Sequence, residues 1–385
     1  MKPNSVWWHE VVAMQSNREK LSLELQESYA HLVQSLVLYM DLRSPEALHS
    51  LGIDSAKDMV NLVSQFTINT FTLTSPLLDA IGITICPLAA LINHSCDPNA
   101  VIVFPNSFKG IYPTLEILSV QPIKVGEEIV AAYVDITLPK ALRQKSLNGT
   151  YAFDCKCSEC TREVPLDLRE SDSTRNCSKC GRSSVPPDDF VDKLKLANDG
   201  LEKVEKLQFQ DPDYALSLAT NVLGLISPFT PPSSHPRLAL MRVLQTLSIE
   251  AMNTKNSAAS TSVDSVIRLS AQIVAALVDL LPHGHPIRGV AIATLGRLLC
   301  VDEPEVPANV SPEQQQQAFP PRGYQRLALA KSTLLRALDE LNVGFGSGGG
   351  ILGTEMRHTL EGVDREMSVF ERGVRNARES LKQTS

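Results

Sequence analysis

Three cysteines within six residues place the strongest constraint on what this chain can fold into. Cys155, Cys157 and Cys160 form a C-x-C-x2-C segment in "FDCKCSEC". Thiolates spaced this closely can converge on one ion, and zinc prefers four such ligands in a tetrahedron. The spacing therefore predicts a metal site whose fourth ligand comes from elsewhere in the chain.

Two ligand sets compete for this site. The local set joins the last two of these cysteines, after a gap of sixteen residues, to Cys177 and Cys180, and this gap falls within the zinc-ribbon range. The distant set instead adds Cys96, from the segment "LINHSCDPNA", to the triplet. Spacing alone favours the local set, although that choice leaves Cys155 without a role.

Composition and charge narrow the class of protein. The chain has 385 residues, of which 43% are hydrophobic, and a net charge of −7. This length predicts two or three domains with a real core. The acidic balance argues against direct nucleic-acid binding, which needs a basic face, and it allows a basic partner such as a histone tail.

The chain shows neither a secretory leader nor a long apolar run. We therefore expect a soluble protein of the cytoplasm, the nucleus or both, without a membrane segment. In such a compartment the eight cysteines are expected to be thiols or metal ligands instead of disulfides.

The first 180 residues mix helix and strand patterns. Helical periodicity covers about 17–42 and 55–71. Strand patterns follow in "AIGITICPL", "AVIVFP", "TLEILSV" and "PIKVGEEIVAAYVD", the last with a turn at Gly126 and a strand that carries Tyr133. A short helix is predicted in "LPKALRQKSLNGTY", with Gly149 after its end.

From about residue 190 onward the patterns are helical. The segments "HPRLALMRVLQTLSIEAM" and "HPIRGVAIATLGRLLC" begin in the same way at His235 and His285. This similarity suggests repeated helical hairpins, as in an α-solenoid.

The order of three motifs resembles a known family. "LINHSCDPNAVIVF", "GEEIVAAYVD" and "YAFDCKCSEC" together resemble the C-terminal half of a SET domain and its post-SET segment. The stretch from "INTFTL" through "GITICPLAALINHSCDPN" is similar to the SET and MYND (SMYD) family of lysine methyltransferases. That family ends in a tetratricopeptide-like (TPR-like) helical domain, which agrees with the helical second half.

The resemblance implies an α+β fold followed by an all-α region. The α+β part is a partial, β-rich SET domain with a helical insert and a zinc-bound post-SET segment. The expected divisions are an N-terminal helical segment (1–54), the C-terminal half of the SET domain (55–150), the post-SET zinc segment and linker (151–185), and a TPR-like helical domain (186–385).

The resemblance also favours the distant ligand set. It implies one structural zinc held by Cys96, Cys155, Cys157 and Cys160. Four thiolates leave no open position for a reactive water. The ion would hold the post-SET loop beside the "NHSC" segment, so its loss should disable cofactor binding. Cys177 and Cys180 then have no assigned role.

The activity that the resemblance implies is methyl transfer from S-adenosyl-methionine to a lysine of a protein or peptide, such as a histone tail. This reaction depends on positioning and electrostatics. The implied site consists of a catalytic tyrosine, a residue of the lysine channel and residues that bind the cofactor: Tyr133 (catalytic and cofactor-binding), Tyr151 (substrate), and Asn69, Asn93, His94 and Phe153 (cofactor).

Glu127 and Glu128 are expected to serve the turn and the fold, without a role in proton transfer. The family's Gly-x-Gly cofactor loop and MYND finger find no match, since the chain has no glycine before Gly52 and no cysteine before Cys86. The second hypothesis is therefore a catalytically inactive, SET-derived scaffold whose helical domain binds a peptide. In either case we expect a monomer.

Overall fold

The computed structural model describes residues 6–42, 44–106, 112–162, 175–176, 183–184, 188–253, 262–304 and 319–384. The chain divides into two compact units, Met1–Arg162 and Glu163–Ser385.

In the part of the first unit that the structure describes, six helices are combined with short strands. Its helices are α1 (Val6–Ala13), α2 (Leu23–Tyr39), α3 (Pro45–Ser50), α4 (Ala56–Asn69), α5 (Lys140–Tyr151) and α6 (Ser158–Thr161), with single 3-10 turns at Arg18–Lys20 and Ala89–Leu91. Its strands are β1 (Thr70–Thr74), β2 (Ala80–Ile85), β3 (Asn93–His94), β4 (Ala100–Val103), β5 (Glu116–Ser119) and β6 (Val130–Ala131).

Serine caps fix where the early helices begin. Ser22 accepts a hydrogen bond from the Leu25 N–H at the start of α2, and Ser55 accepts one from the Asp58 N–H at the start of α4. These two helices confirm the helical periodicity at 17–42 and 55–71. They pack together around the buried side chains of Val33, Ile53 and Met59.

The strands described in the first unit form three separate pairs. β1 and β2 form an antiparallel hairpin in which Thr70 lies opposite Ile85. β4 and β5 are also antiparallel, and Ala100 lies opposite Ser119. β3 and β6 are parallel, although each contributes only two residues. This last pair brings two distant motifs side by side.

Two local expectations were wrong. The strand after the "GEE" segment ends at Ala131, so Tyr133 lies in a bend beyond it. Helix α5 continues through Gly149 to Tyr151 and ends at Ala152, which has a left-handed φ of 58°. A helix can carry a glycine within its last turn, so the glycine in this sequence did not mark the end.

The second unit is all-helical apart from one short antiparallel pair, β7 (Arg175–Asn176) with β8 (Ser183–Ser184), in the residues described. Its helices are α7 (Phe190–Leu207), α8 (Pro212–Ile226), α9 (Arg237–Asn253), α10 (Val263–Leu280), α11 (Pro286–Leu299), α12 (Tyr324–Gly344) and α13 (Gly350–Thr384). Successive helices pack against each other along the chain. The expected α+β fold followed by a helical region is thus confirmed.

Buried charge also holds the helices of the second unit in place. Arg326 is 2% exposed. Its guanidinium donates to the carbonyls of Leu299 and Val301 and pairs with Asp264 at 3.0 Å. One α12 side chain therefore joins the end of α11 to the start of α10.

Among the helices described, none has both the length and the apolar character needed to cross a bilayer.

Candidate functional site

The parallel pair β3–β6 places the "NHSC" segment beside the strand that leads to Tyr133. Asn93 lies opposite Val130 and His94 opposite Ala131. The pairing continues one residue further, because the Ser95 N–H donates to the Ala131 carbonyl at 3.0 Å. The two motifs are therefore fixed to each other by backbone hydrogen bonds.

A buried amide strengthens this pairing. The Asn99 side chain donates to the Glu128 carbonyl and accepts from the Val130 N–H, both at 2.9 Å. Asn99 is 6% exposed, so both contacts are shielded from water. This residue holds β6 in register from the side of the "NHSCDPN" segment.

Four cysteines meet beside these strands. The sulfurs of Cys96, Cys155, Cys157 and Cys160 all lie within 4.8 Å of one another, and those of Cys96 and Cys160 are 3.6 Å apart. A tetrahedral zinc with Zn–S bonds of about 2.3 Å requires sulfur separations of about 3.8 Å. The donor set and its spacing fit zinc. We call these residues the four-cysteine cluster.

The structure thus brings together the distant ligand set. Cys177 and Cys180, the other half of the local set, lie outside the described residues. The post-SET end of the cluster is also linked to the "NHSC" loop, because Ser158 Oγ donates to Asp97 Oδ2 at 3.2 Å.

His94 joins the cluster to the backbone of Tyr133. Its Nδ1 accepts a hydrogen bond from the Tyr133 N–H at 2.9 Å. Burial, and then the charge of Arg143, lower the pKa of His94 to about 4, so the ring is neutral near pH 7. A neutral imidazole has one N–H, which must therefore be on Nε2, 3.3 Å from Cys96 Sγ.

Tyr133 lies between this histidine and a second tyrosine. Its hydroxyl donates to the Ile92 carbonyl at 2.6 Å. Its ring centroid is 5.3 Å from that of His94 and 4.9 Å from that of Tyr151. Burial raises the pKa of Tyr133, and so do Tyr151 and the Glu128 carboxylate. The phenol therefore stays protonated at neutral pH.

Tyr151 and Phe153 complete an aromatic group with Tyr133. Their ring centroids are 6.5 Å apart, and that of Phe153 lies 6.0 Å from His94. The left-handed turn at Ala152 separates the two residues, and Asn17 Nδ2 donates to the Tyr151 carbonyl at 3.2 Å. Burial raises the pKa of Tyr151, which keeps this phenol neutral as well.

The two glutamates of the "GEE" segment have different roles. Glu127 accepts a hydrogen bond from the Lys124 N–H at 2.9 Å and so closes the turn, as expected. Glu128 Oε1 accepts from Asn93 Nδ2 at 2.6 Å. The second carboxylate therefore orients one of the candidate cofactor residues.

Asn69 lies at the end of α4. Its amide donates to the carbonyls of Gln15 and Gln65. Among the hydrogen bonds described, it makes none to another candidate residue.

A cavity of about 470 Å³ lies beside His94, Phe153 and the four-cysteine cluster. Four carboxylate residues and one lysine are among its lining residues: Asp97, Glu127, Glu128, Asp154 and Lys156. The resulting excess of negative charge favours a ligand with positive charge. An aromatic ring at the wall provides a surface on which a planar group can stack.

Several residues that contact this site were not predicted from the sequence. Asn99, Arg143 and Gln144 bond to elements of the site that lie 31, 47 and 11 residues away in the chain. Nothing in the local sequence around these residues signals such contacts.

Comparison with known proteins agrees with this geometry. The SET domain family profile matches residues 10–134. The chain is 30% identical over 160 residues to histone-lysine N-methyltransferase SMYD3 of Homo sapiens. This match covers 41% of this chain and 35% of that protein. It is 38% identical over 111 residues to N-lysine methyltransferase SMYD2 of Homo sapiens, covering 29% of this chain and 24% of that protein.

A fungal relative agrees as well. The chain is 31% identical over 135 residues to SET domain and MYND-type zinc finger protein 6 of Schizosaccharomyces pombe, covering 35% of this chain and 26% of that protein. The matches span between 24% and 35% of the length of these three relatives. Residues 10–134 therefore match a SET domain, and the chain is similar to the SMYD proteins over part of its length.

Proposed function

We propose that this chain is an S-adenosyl-methionine-dependent protein-lysine N-methyltransferase of the SET type. The observation that carries the proposal is the aromatic group of Tyr133, Tyr151 and Phe153, which packs against the four-cysteine cluster and beside His94. The names of the SMYD2 and SMYD3 relatives, both lysine methyltransferases, support the same reaction.

The cavity beside Phe153 is the proposed cofactor site. S-adenosyl-methionine, when bound, supplies an electrophilic methyl group on a positively charged sulfur. Phe153 would offer its ring face to the adenine, and Asn93 and His94 would contact the polar groups of the cofactor. Asn69 and Tyr133 complete the proposed set. The carboxylates of the cavity wall favour the positive charge.

Tyr133 would act by holding the lysine amine. Its hydroxyl hydrogen is already used, because it is donated to the Ile92 carbonyl. The phenol oxygen retains a lone pair that can accept a hydrogen bond from the amine. Since burial keeps the phenol protonated, we assign Tyr133 to orienting the nucleophile and not to removing its proton.

Tyr151 would line the channel for the lysine side chain. It packs 4.9 Å from Tyr133, centroid to centroid. Aromatic walls exclude water from an alkyl-ammonium chain, and loss of water favours the neutral amine over the charged one. The neutral amine has the lone pair that methyl transfer requires.

Zinc would be held by the four-cysteine cluster. Four thiolates close its coordination shell, so the ion would have a structural role. It would fix the segment that carries Phe153 against the "NHSC" loop.

The proposed substrate is a lysine in a protein or peptide, with a histone tail as one candidate. We also propose that the protein is a monomer, binds no nucleic acid directly and is located in the cytoplasm, the nucleus or both.

Calorimetric titration of the zinc-loaded chain with S-adenosyl-methionine tests the cofactor site. We expect binding, and we expect Phe153→Ala to weaken it about tenfold, the loss of about 1.4 kcal/mol of stacking. The matched control is Phe209→Ala, since Phe209 is 89% exposed on the second unit, and it should bind as the unaltered chain does. A folded, zinc-loaded chain that binds no cofactor would favour the scaffold hypothesis instead.

A further inference from the structure

Helix α5 presents a guanidinium to the four-cysteine cluster. Arg143 Nε donates to Cys96 Sγ at 3.2 Å, and its Nη2 lies 4.0 Å from Cys160 Sγ. A third nitrogen, Nη1, donates to the Leu138 carbonyl. The carbonyl holds one side of the planar group while the other side faces two sulfurs.

The next residue of the helix holds a third cysteine through its backbone. Gln144 Nε2 donates to the Cys155 carbonyl at 2.7 Å, and Gln144 Oε1 accepts from the Cys155 N–H at 2.9 Å. Two hydrogen bonds in opposite directions fix the two peptide units on either side of the Cys155 Cα. Cys155 therefore cannot shift without breaking both of them.

The negative charge of a metal-loaded four-cysteine cluster explains how the Arg143 guanidinium would stabilise it. Four thiolates around one divalent ion carry an excess of two negative charges. Cys96 and Cys160 are 6% and 3% exposed, so water can offset little of that excess, and a buried charge without a partner is costly. The guanidinium of Arg143 neutralises about half of it. Its contact with Cys96 is shared with His94, whose Nε2 lies 3.3 Å from the same sulfur.

We propose that Arg143 and Gln144 are positioning residues of the metal centre. Arg143 offsets the charge of the thiolates through Cys96 and Cys160, and Gln144 fixes the backbone of Cys155 at the metal-binding distance. This inference rests on the proposed zinc site. It concerns the metal affinity of the site and the electron density on its thiolate sulfurs.

Metal affinity and the spectrum of a cobalt-substituted protein test the proposal. Zinc affinity is measured on the full chain by competition with a chelating dye, for Arg143→Gln, Arg143→Lys and Gln144→Ala. The matched control is Arg162→Gln, because Arg162 is exposed and pairs only with Glu159 among the ion pairs described. Far-UV circular dichroism checks that each variant is folded.

We expect Arg143→Gln and Gln144→Ala to bind zinc about 10- to 100-fold more weakly, as is usual for partners of metal ligands. Arg143→Lys keeps the positive charge and should bind more tightly than Arg143→Gln. In the cobalt form, loss of the hydrogen bonds to sulfur should move the thiolate-to-cobalt charge-transfer band of Arg143→Gln to lower energy. Arg162→Gln should change neither quantity.

Unchanged affinity and an unchanged band in folded Arg143→Gln would overturn the role of Arg143. If that variant does not fold, Gln144→Ala decides, and wild-type zinc affinity in folded Gln144→Ala would then overturn the positioning role. A wild-type chain that takes up no zinc would overturn the metal site itself. Cofactor binding by such a zinc-free chain would leave the proposed methyltransferase activity standing.

Discussion

The backbone N–H of Tyr133 donates to Nδ1 of His94 at 2.9 Å. The other ring nitrogen of His94 lies 3.3 Å from Cys96 Sγ. One neutral imidazole therefore connects the proposed catalytic tyrosine to the proposed metal centre. A change at the cysteines can reach Tyr133 through a single side chain.

Replacement of His94 should weaken the first unit. His94→Leu keeps much of the side-chain volume but leaves the Tyr133 N–H without its acceptor, which costs about 1–3 kcal/mol. Both tryptophans of the chain, Trp7 and Trp8, lie in α1 of the first unit, so urea unfolding followed by tryptophan fluorescence reports on this unit. His49→Leu is the control, since the His49 side chain is 55% exposed, and its change should stay within about 0.5 kcal/mol. Equal stability of the two variants would contradict the assigned hydrogen bond.

Replacement of Asn99 should loosen the register between β3 and β6. Asn99→Ala removes the acceptor of the Val130 N–H, so exchange of that amide with solvent should become about tenfold faster. Hydrogen exchange with mass spectrometry of the peptide around Val130 measures this. Asn198→Ala is the control, because it removes a hydrogen bond within one helix, from Asn198 to the Leu194 carbonyl. Amide exchange at Val130 should not change in this variant. An unaltered rate in Asn99→Ala would show that another group protects this amide.

Removal of zinc should expose the post-SET segment. Lys156 lies between two of the cysteines and is exposed, yet a chain held by metal resists the bending that a protease requires. A zinc chelator should therefore accelerate tryptic cleavage after Lys156, and added zinc should reverse the effect. Cleavage after Lys206, in the second unit, serves as the internal reference. Cleavage after Lys156 at the same rate with and without chelator would argue against a metal at the four-cysteine cluster.

Replacement of Arg326 should destabilise the second unit strongly. Arg326→Leu leaves two carbonyls without their donor and removes the 3.0 Å ion pair of Asp264, which keeps its 3.7 Å contact with Arg322. Breaking a buried pair costs about 3–5 kcal/mol, and the remaining contact places the expected loss at the lower end. Far-UV circular dichroism during urea unfolding detects the loss. Arg336→Leu, at an exposed position of the same helix, should differ from wild type by about 0.5 kcal/mol or less. A free energy of unfolding that is equal in the two variants would contradict a stabilising role for the buried contacts of Arg326.

Local features of this chain were predictable from its sequence. Helices α2 and α4 follow apolar periodicity, and each begins after a serine that caps it. These signals act within a few residues, so they can be read without the fold. The four-cysteine cluster could not be predicted from local signals alone. Cysteine spacing favoured the local ligand set, and the family resemblance favoured the set that includes Cys96.

Contacts between distant segments were not predictable in this way. β3 and β6 have two residues each, which is too short for an alternating pattern. Arg143 reaches Cys96 across 47 residues of sequence, and its local surroundings look like those of any surface arginine on a helix. Such contacts are decided by tertiary packing, to which the single sequence gives no local sign.

Methyl transfer itself is the most direct test of the central claim. The zinc-loaded chain is incubated with S-adenosyl-methionine and lysine-containing peptides, including histone tails, and lysine methylation is read by mass spectrometry. We expect transfer that falls about 100-fold in Tyr133→Phe, since the amine is then poorly positioned. Tyr39→Phe, at a residue that is 90% exposed, should retain full activity. Transfer that is unaffected by Tyr133→Phe, or no transfer by a folded chain that binds both zinc and cofactor, would contradict the account.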